Sequence, residues 1–332
     1  MPQTNRQILL VSRPTGAASV DNFRLVETPL AALADGEVRV RNHYLSLDPY
    51  MRGRMSDARS YAPPQPLNEV MIGGTVGEVV ESRDPAFAVG DFVVGALGWQ
   101  EFGTSNGDGL RKVDPARVPL SAYLGAVGMP GVTAWYGLNR ILAPKAGQTI
   151  VVSAASGAVG GVVGQLAKLA GARAVGIAGG EEKCRYVTQT LGFDACIDYK
   201  AGNLLRDLAA ATPNGVDGYF ENVGGDLLDA TLEQMNDFGR IALCGMIAGY
   251  DGQPVPLGQP SLILRRRLLV QGFIVTEHLD LWPQALRELG DLVAQRKLLY
   301  RETIAQGLEN APEAFLGLLK GRNFGKQLVK LI

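Results

Sequence analysis

Two rhythms of apolar and polar positions divide the chain. Up to about residue 125, strand-like runs at 7–11, 23–27, 37–45, 70–80 and 92–97 alternate with turn signals such as Pro14-Thr15-Gly16, Ala34-Asp35-Gly36 and Val89-Gly90-Asp91. Strands of uneven length with many turns predict a partly open β-barrel rather than a parallel sheet. The proline-rich run 60–66 predicts an ordered or semi-mobile loop. From about 126 the rhythm becomes strand, turn, helix. Strands at 150–152, 174–177, 195–197 and 218–221 are followed by helical patterns at 159–169, 181–191, 204–211 and 227–235, and a strand at 240–244 closes the series. Repeated βα units predict a doubly wound parallel sheet, so the fold class is α/β. A strand at 268–275 and a helix at 282–296 follow. Strand, helix (311–319) and strand (326–331) end the chain. The expected organisation is 1–125, 126–298 and a C-terminal segment, 299–332.

One apolar stretch has the length of a membrane span, because no charge occurs between Lys145 and Lys168. Five glycines interrupt it, and its β-branched start (Thr149–Val152) gives way to small residues. A buried strand–turn–helix is the better account, and no membrane association is expected. Lys and Arg (32) nearly balance Asp and Glu (33), so the basic excess a nucleic-acid binder uses to displace counterions is missing. The three cysteines, Cys184, Cys196 and Cys244, are odd in number and widely spaced. That is no disulfide framework, and it fits a reducing cytoplasm. With only His43 and His278 besides, neither a four-cysteine zinc site nor any C-x-x-C or H-E-x-x-H spacing is available, and no metal is expected. The apolar run 8–11 is too short for a secretory leader.

The chemistry is carried by Val151-Val152-Ser153-Ala154-Ala155-Ser156-Gly157-Ala158-Val159-Gly160. It follows a strand, opens a helix and begins a βαβ unit, which is the context that confirms a dinucleotide fingerprint. Ala154 or Ala155 stands near the usual first glycine. Gly157 lets the backbone approach a pyrophosphate, Gly160 lets the helix pack closely, and the helix N-terminus offers unpaired N–H groups to phosphate. About 20 residues on, where an NAD enzyme carries an acid for the ribose, the chain reads Ile177-Ala178-Gly179-Gly180-Glu181-Glu182-Lys183. Two glycines make room for an extra phosphate and Lys183 can neutralise it, so NADPH is the expected cofactor.

Competing signals are weaker. Gly103-Thr104-Ser105-Asn106-Gly107 matches the G-x-S-x-G string, but a turn and a strand follow it rather than a helix. None of the ten tyrosines has a lysine four residues later, which excludes the Tyr-x-x-x-Lys dyad. Arg265-Arg266-Arg267 reads as charge flanking an exposed edge strand.

Ordered motifs along nearly the whole chain then carry a resemblance. They are Leu47-Asp48-Pro49-Tyr50-Met51-Arg52, Val127-Gly128-Met129-Pro130-Gly131-Val132-Thr133-Ala134, Phe220-Glu221-Asn222-Val223-Gly224-Gly225, Gln271-Gly272-Phe273-Ile274-Val275 and Gly321-Arg322-Asn323-Phe324-Gly325-Lys326, together with the fingerprint itself. The chain resembles the medium-chain dehydrogenase/reductase superfamily, in its zinc-independent leukotriene dehydrogenase/prostaglandin reductase branch. The resemblance implies a GroES-like partly open β-barrel domain plus a Rossmann domain, with the C-terminal segment returning to the first. It also implies that Gly157, Ala158, Val159 and Gly160 hold the pyrophosphate and that Lys183 with Tyr199 holds the 2′-phosphate. Asn222, the stretch Cys244, Gly245, Met246, Ile247 to Tyr250, then Phe273, Ile274, Val275 and Asn323 would line the ribose and nicotinamide.

The implied activity is NADPH-dependent reduction of the C=C bond of α,β-unsaturated ketones and aldehydes, with hydride delivered to the β-carbon. A tyrosine that several members carry just upstream of the Gly-Phe strand is replaced here, at the matching position, by Arg265. A neutral phenol suits a developing enolate oxygen, so Tyr250 and Tyr61 are the candidate catalytic residues and Tyr50 the third. The alternatives are an NADPH:quinone oxidoreductase and, from another class, a non-catalytic NADPH-binding or RNA-binding relative. The apolar strand 268–275 at the end of the parallel sheet, and the resemblance, both point to a homodimer.

Overall fold

The computed structural model describes residues 4–332. The first part holds β1 (Thr4–Leu10), β2 (Phe23–Pro29), β3 (Val38–Ser46), the short helix α1 (Tyr50–Arg54), β4 (Glu69–Val70), β5 (Thr75–Ser82), β6 (Phe92–Gly95), β7 (Phe102–Ser105) and β8 (Arg111–Lys112). The second begins with α2 (Met129–Tyr136). It continues as β9 (Thr149–Ser153), α3 (Gly160–Leu169), β10 (Arg173–Ala178), α4 (Glu181–Gln189), β11 (Ala195–Asp198), α5 (Leu204–Ala211), β12 (Val216–Glu221), α6 (Asp226–Gln234), β13 (Met235–Leu243), α7 (Ser261–Arg265), β14 (Leu269–Gly272) and α8 (Trp282–Ala294). The chain then returns through β15 (Glu302–Gln306), α9 (Ala311–Leu319) and β16 (Lys326–Lys330).

The strand order β11-β10-β9-β12-β13-β14, all parallel, is that of a Rossmann fold. Every residue of β9 is buried, as a central strand with helices on both faces requires. The stretch 145–168 is thus β9, a glycine turn and α3. Among the described residues no helix is long and apolar enough to cross a membrane.

In the other part, β2-β1-β4 form one sheet and β15-β16-β3-β5-β6-β8 another. β16 pairs antiparallel with the C-terminal end of β3, and β7 pairs with its N-terminal end. Where the sheets meet, Phe23 stacks on Trp99 at 5.3 Å between ring centroids, and Phe315 of α9 meets Trp99 edge-on at 5.7 Å. The chain's last helix therefore closes the core of its first strands.

Two local expectations are corrected, and one helix was not foreseen. The single strand 70–80 is two strands, because β4 pairs with β1 and β5 with β3, and the chain turns a corner between the two sheets. Gly73 lies in that corner, where a Cβ would come 2.9 Å from both Leu45 and Trp99 side chains. The strand 268–275 stops at Gly272; Phe273 turns inward onto Phe220, and Val275–Glu277 form one helical turn. Helix α2 shows no amphipathic period because Pro130, Gly131, Val132, Ala134, Trp135 and Tyr136 are all buried.

Candidate active site

The fingerprint turn is built around carbonyl 154. Ala154 adopts φ +50°, and a Cβ on Gly160 would stand 2.4 Å from its oxygen and 3.0 Å from Ala155 Cα. Backbone cannot yield there, so only glycine lets α3 start at that point. Farther along α3, a Cβ on Gly164 would fall 1.8 Å from the Phe193 ring. Gly157 differs, since its one near neighbour would be the Ala154 oxygen at 3.1 Å. It faces a crevice shared with Tyr186, Arg301 and Lys326. The Gly161 N–H is bonded back to Gly157 O at 3.0 Å, so the N–H groups of Ala158, Val159 and Gly160 sit at the free end of the helix. The turn fits a pyrophosphate on residues 157–160.

A cationic pocket opens at the ends of β10 and β11. Lys183 lies in the first turn of α4, its Nζ donating to Gly321 O at 2.8 Å. Burial and then the neighbouring Lys200 ammonium hold Lys183 below its ordinary value. Gly179 is the floor, because a Cβ there would meet the Tyr199 ring at 2.8 Å and Lys200 Cε at 3.0 Å. Asp198 shapes the rim, with Oδ1 accepting from Gly180 N at 2.8 Å and from Lys200 N at 3.0 Å. An ammonium destabilised by burial and by a second lysine beside it suits a dianionic phosphate. Lys200 escaped the sequence reading, although it directly follows Tyr199 at the end of the third Rossmann strand.

On the other side of β9 the strand ends are tied together. Asn222 N donates to Ser153 Oγ and its Nδ2 to Ser153 O, both at 2.8 Å; Ser153 Oγ donates to Glu221 Oε1 at 2.7 Å. Cys244 N and Gly245 N both reach Glu221 O, at 2.9 and 3.2 Å, and Ile247 N reaches Asn222 O at 3.2 Å. Residues 244–247 and Asn222 therefore form one hydrogen-bonded ledge at the C-terminal ends of β9, β12 and β13. Phe273 packs on Tyr136 and Phe220, and Val275 is buried with its carbonyl accepting from Trp282 Nε1 at 3.1 Å, while Phe273 and Ile274 are both half-buried. Asn323 Nδ2 donates to Gly325 O at 2.7 Å, and Gly325 N to Ser156 O at 3.1 Å, so the C-terminal segment lies against the turn.

The three candidate tyrosines converge from both halves of the molecule. A Cβ on Gly245 would stand 3.2 Å from the Tyr250 hydroxyl, which places that hydroxyl on the ledge. Burial pushes the Tyr250 phenol up to about 12, with Cys244 and Tyr61 adding to the effect. Burial also raises Tyr50, with Asp48 and Tyr61 among its neighbours. The Arg54 guanidinium lies 5.1 Å from the Tyr61 ring centroid and 6.0 Å from that of Tyr50. Arg52 Nε meets Asp251 Oδ1 at 3.4 Å, bridging α1 to the Tyr250 loop.

A buried ion pair ties two of the sequence motifs together. Lys326 Nζ donates to Asp48 Oδ1 and to Leu47 O, both at 2.7 Å, with side chains 4% and 8% exposed. Nothing in the spacing of Asp48 and Lys326 announced this contact. Arg265, Arg266 and Arg267 sit at the end of α7, where Arg266 and Arg267 pair with Asp237. The G-x-S-x-G string is β7 followed by a turn.

Comparison with known proteins adds the family. A profile described as the N-terminal domain of oxidoreductase matches residues 6–113, and one described as zinc-binding dehydrogenase matches 158–293. Among the described residues, no group of three or more His, Cys, Asp or Glu side chains is placed to hold a metal ion. The NADPH-dependent curcumin reductase of Escherichia coli is 48% identical, over 99% of this chain and 97% of that one. Prostaglandin reductase 1 of Rattus norvegicus is 44% identical, over 95% of each. The crystal structure of CurA in complex with NADPH from Vibrio vulnificus superposes with a TM-score of 0.93 at 48% identity, covering 98% of this chain and 99% of that one. The chain belongs to the medium-chain dehydrogenase/reductase superfamily, in its zinc-independent leukotriene dehydrogenase/prostaglandin reductase branch.

Proposed function

We propose that the protein is an NADPH-dependent reductase of the C=C bond of α,β-unsaturated ketones and aldehydes. The observation that carries this reading is the meeting of Tyr250 and Tyr61 beside the ledge at residues 244–247 and Asn222, at the C-terminal ends of the Rossmann strands. Bound NADPH supplies a hydride to the substrate β-carbon. The protein's part is to hold and to polarise. The N–H groups at residues 158–160 and the Lys183–Tyr199–Lys200 pocket bind the phosphates, while Asn222, Cys244 to Ile247, Ile274 and Asn323 border the nicotinamide end. Negative charge then builds on the substrate carbonyl oxygen. A phenol that stays neutral far above pH 7 donates a hydrogen bond to that oxygen without titrating, and Tyr250 has such a phenol. Tyr61, on the loop between α1 and β4, is half-exposed and serves as the second donor.

The protein is further proposed to be a cytoplasmic homodimer that binds no nucleic acid. Its three cysteines are unpaired. β14 is the outermost strand of the Rossmann sheet, with Leu269 largely exposed on it, and pairing across a two-fold axis would cover that edge.

The test is NADPH oxidation at 340 nm with a 2-alkenal and with a simple quinone, using NADPH deuterated at C4 of the nicotinamide. The expected product is two mass units heavier than the alkenal, plus one for deuterium at the β-carbon. Turnover of the quinone alone would replace this reading with the quinone one, and turnover of neither would favour a non-catalytic binder.

A further inference from the structure

Two of the three cysteines meet beside the Lys183 pocket, and the reduction chemistry uses neither. Cys184 follows Lys183 in α4; Cys196 lies in β11, opposite Gly176 of β10. Gly176 leaves its face of β10 bare. A Cβ there would stand 3.2 Å from Cys196 Sγ and 2.9 Å from Val187 of α4. Cys184 Sγ approaches the Ala178 carbonyl, two residues along β10 from Gly176, at 4.0 Å. The two thiols thus enter one space between α4, β10 and β11, and each is half-buried and free. They act directly on each other. The Cys196 thiol, as hydrogen-bond donor, draws Cys184 below its ordinary value, and the same contact with burial raises Cys196. Cys184 is therefore the more nucleophilic sulfur and Cys196 the one placed to resolve.

We propose that Cys184 and Cys196 form a reversible intramolecular disulfide, with a hydroperoxide as oxidant, and that this bond closes the 2′-phosphate pocket to NADPH. In the first step Cys184 sulfur attacks a peroxide oxygen. An S–O bond forms, the O–O bond breaks, and with hydrogen peroxide the leaving hydroxide departs as water. In the second, Cys196 sulfur attacks the sulfenic sulfur. The S–S bond forms, the S–O bond breaks, and a second water carries off the remaining proton. Two thiols and one peroxide give one disulfide and two waters.

The consequence for the pocket is geometric. A disulfide draws the sulfurs to about 2.05 Å and so pulls the first turn of α4 toward β11. Lys183 is the residue before Cys184. Asp198, two residues after Cys196, holds Gly180 N and Lys200 N. Both walls of the pocket move. The effect on NADPH rests on the proposed placing of the 2′-phosphate at Lys183.

The experiment uses the full-length protein with hydrogen peroxide. Reagent-accessible thiols under denaturing conditions should fall from three to one, and peptide mapping should find Cys184 joined to Cys196 within one chain. NADPH affinity should fall by about tenfold or more while NADH affinity changes by less than about twofold, and dithiothreitol should restore both. Cys184→Ser and Cys196→Ser should each keep their NADPH affinity after peroxide. Absence of the cross-link, a link to Cys244 or to another chain, or a correct link with unchanged NADPH affinity would overturn the proposal. Lys183→Ala in the reduced protein separates the premises. A loss confined to NADPH supports the pocket, so that peroxide insensitivity then removes the disulfide switch alone. Equal losses for both cofactors remove the pocket and the switch with it.

Discussion

Replacing Lys326 by Met leaves the Asp48 carboxylate buried without its cation. Asp48 would keep the Ser46 hydroxyl as its remaining side-chain donor, and the Leu47 carbonyl would lose its lysine bond. Burial already holds Lys326 below its ordinary value, with Asp48 and Glu302 opposing that effect, so the pair survives by mutual compensation. Breaking such a pair from one side costs about 3–5 kcal/mol. With an unfolding entropy of about 2.1 cal/mol/K per residue, a chain of 332 residues changes by about 0.7 kcal/mol per degree, so Tm should fall by roughly 4–7 °C. Adding Asp48→Asn removes the stranded charge and should recover about half of that loss. NADPH affinity should fall as well, because Lys326 lines the crevice that Gly157 faces and the replacement removes a cation from it. The assays are thermal unfolding by circular dichroism and cofactor titration by fluorescence. A fall in Tm below about 1.5 °C, or strict additivity in the double variant, would refute the reasoning.

Lys183→Ala should weaken NADPH by about 10- to 150-fold, the value of one charge-assisted hydrogen bond, with NADH nearly unchanged in the same titration. Tyr250→Phe should lower the maximal rate about 10- to 100-fold with little change in NADPH affinity, and the double change with Tyr61→Phe should show whether the two hydroxyls share the work; full rates in all three variants would leave the enolate to solvent. Burial pushes Tyr186, Tyr250 and Tyr300 up to about 12 in the folded state. Below pH 10 both states keep these protons; between pH 10 and 12 the unfolded chain loses them first, so stability should fall across that window, and a Tm level to pH 11.5 would contradict this. Light scattering at working concentrations should give twice 35.4 kDa, and a monomeric mass would remove the edge-to-edge dimer.

The Rossmann half was largely legible because each βα unit writes its own signal. The helix 204–211 and the glycine turn needed only local rules: propensity, spacing and the steric demand at Gly160. What escaped was non-local. The run 70–80 looked continuous because both its ends are apolar, and only pairing with two different sheets divides it. Helix α2 hid because burial on every side erases periodicity. In the proposed 2′-phosphate site, Lys183 is legible as a charge after two glycines, whereas Lys200 joins it through the side-by-side ends of β10 and β11. The tyrosines could be named as residue types, but their convergence depends on how the two halves close on each other. The Asp48–Lys326 pair spans 278 positions, a separation at which no pattern along the chain couples two residues.

The place of β16 has a consequence for biosynthesis. It lies inside its sheet, between β15 and β3, and its helix α9 supplies the Phe315 ring that packs on Trp99. A ribosome emits β16 after every other strand described here. At about 5–20 residues per second, β3 waits some 14–60 seconds from its own synthesis for the strand that covers its edge. The Rossmann sheet closes earlier, from elements that neighbour one another along the chain. Its partner domain must pass that interval with an apolar seam open, so the nascent chain is most in need of chaperone shelter over β1 to β8, and a premature stop before residue 326 leaves a completed nucleotide fold joined to an unfinished barrel.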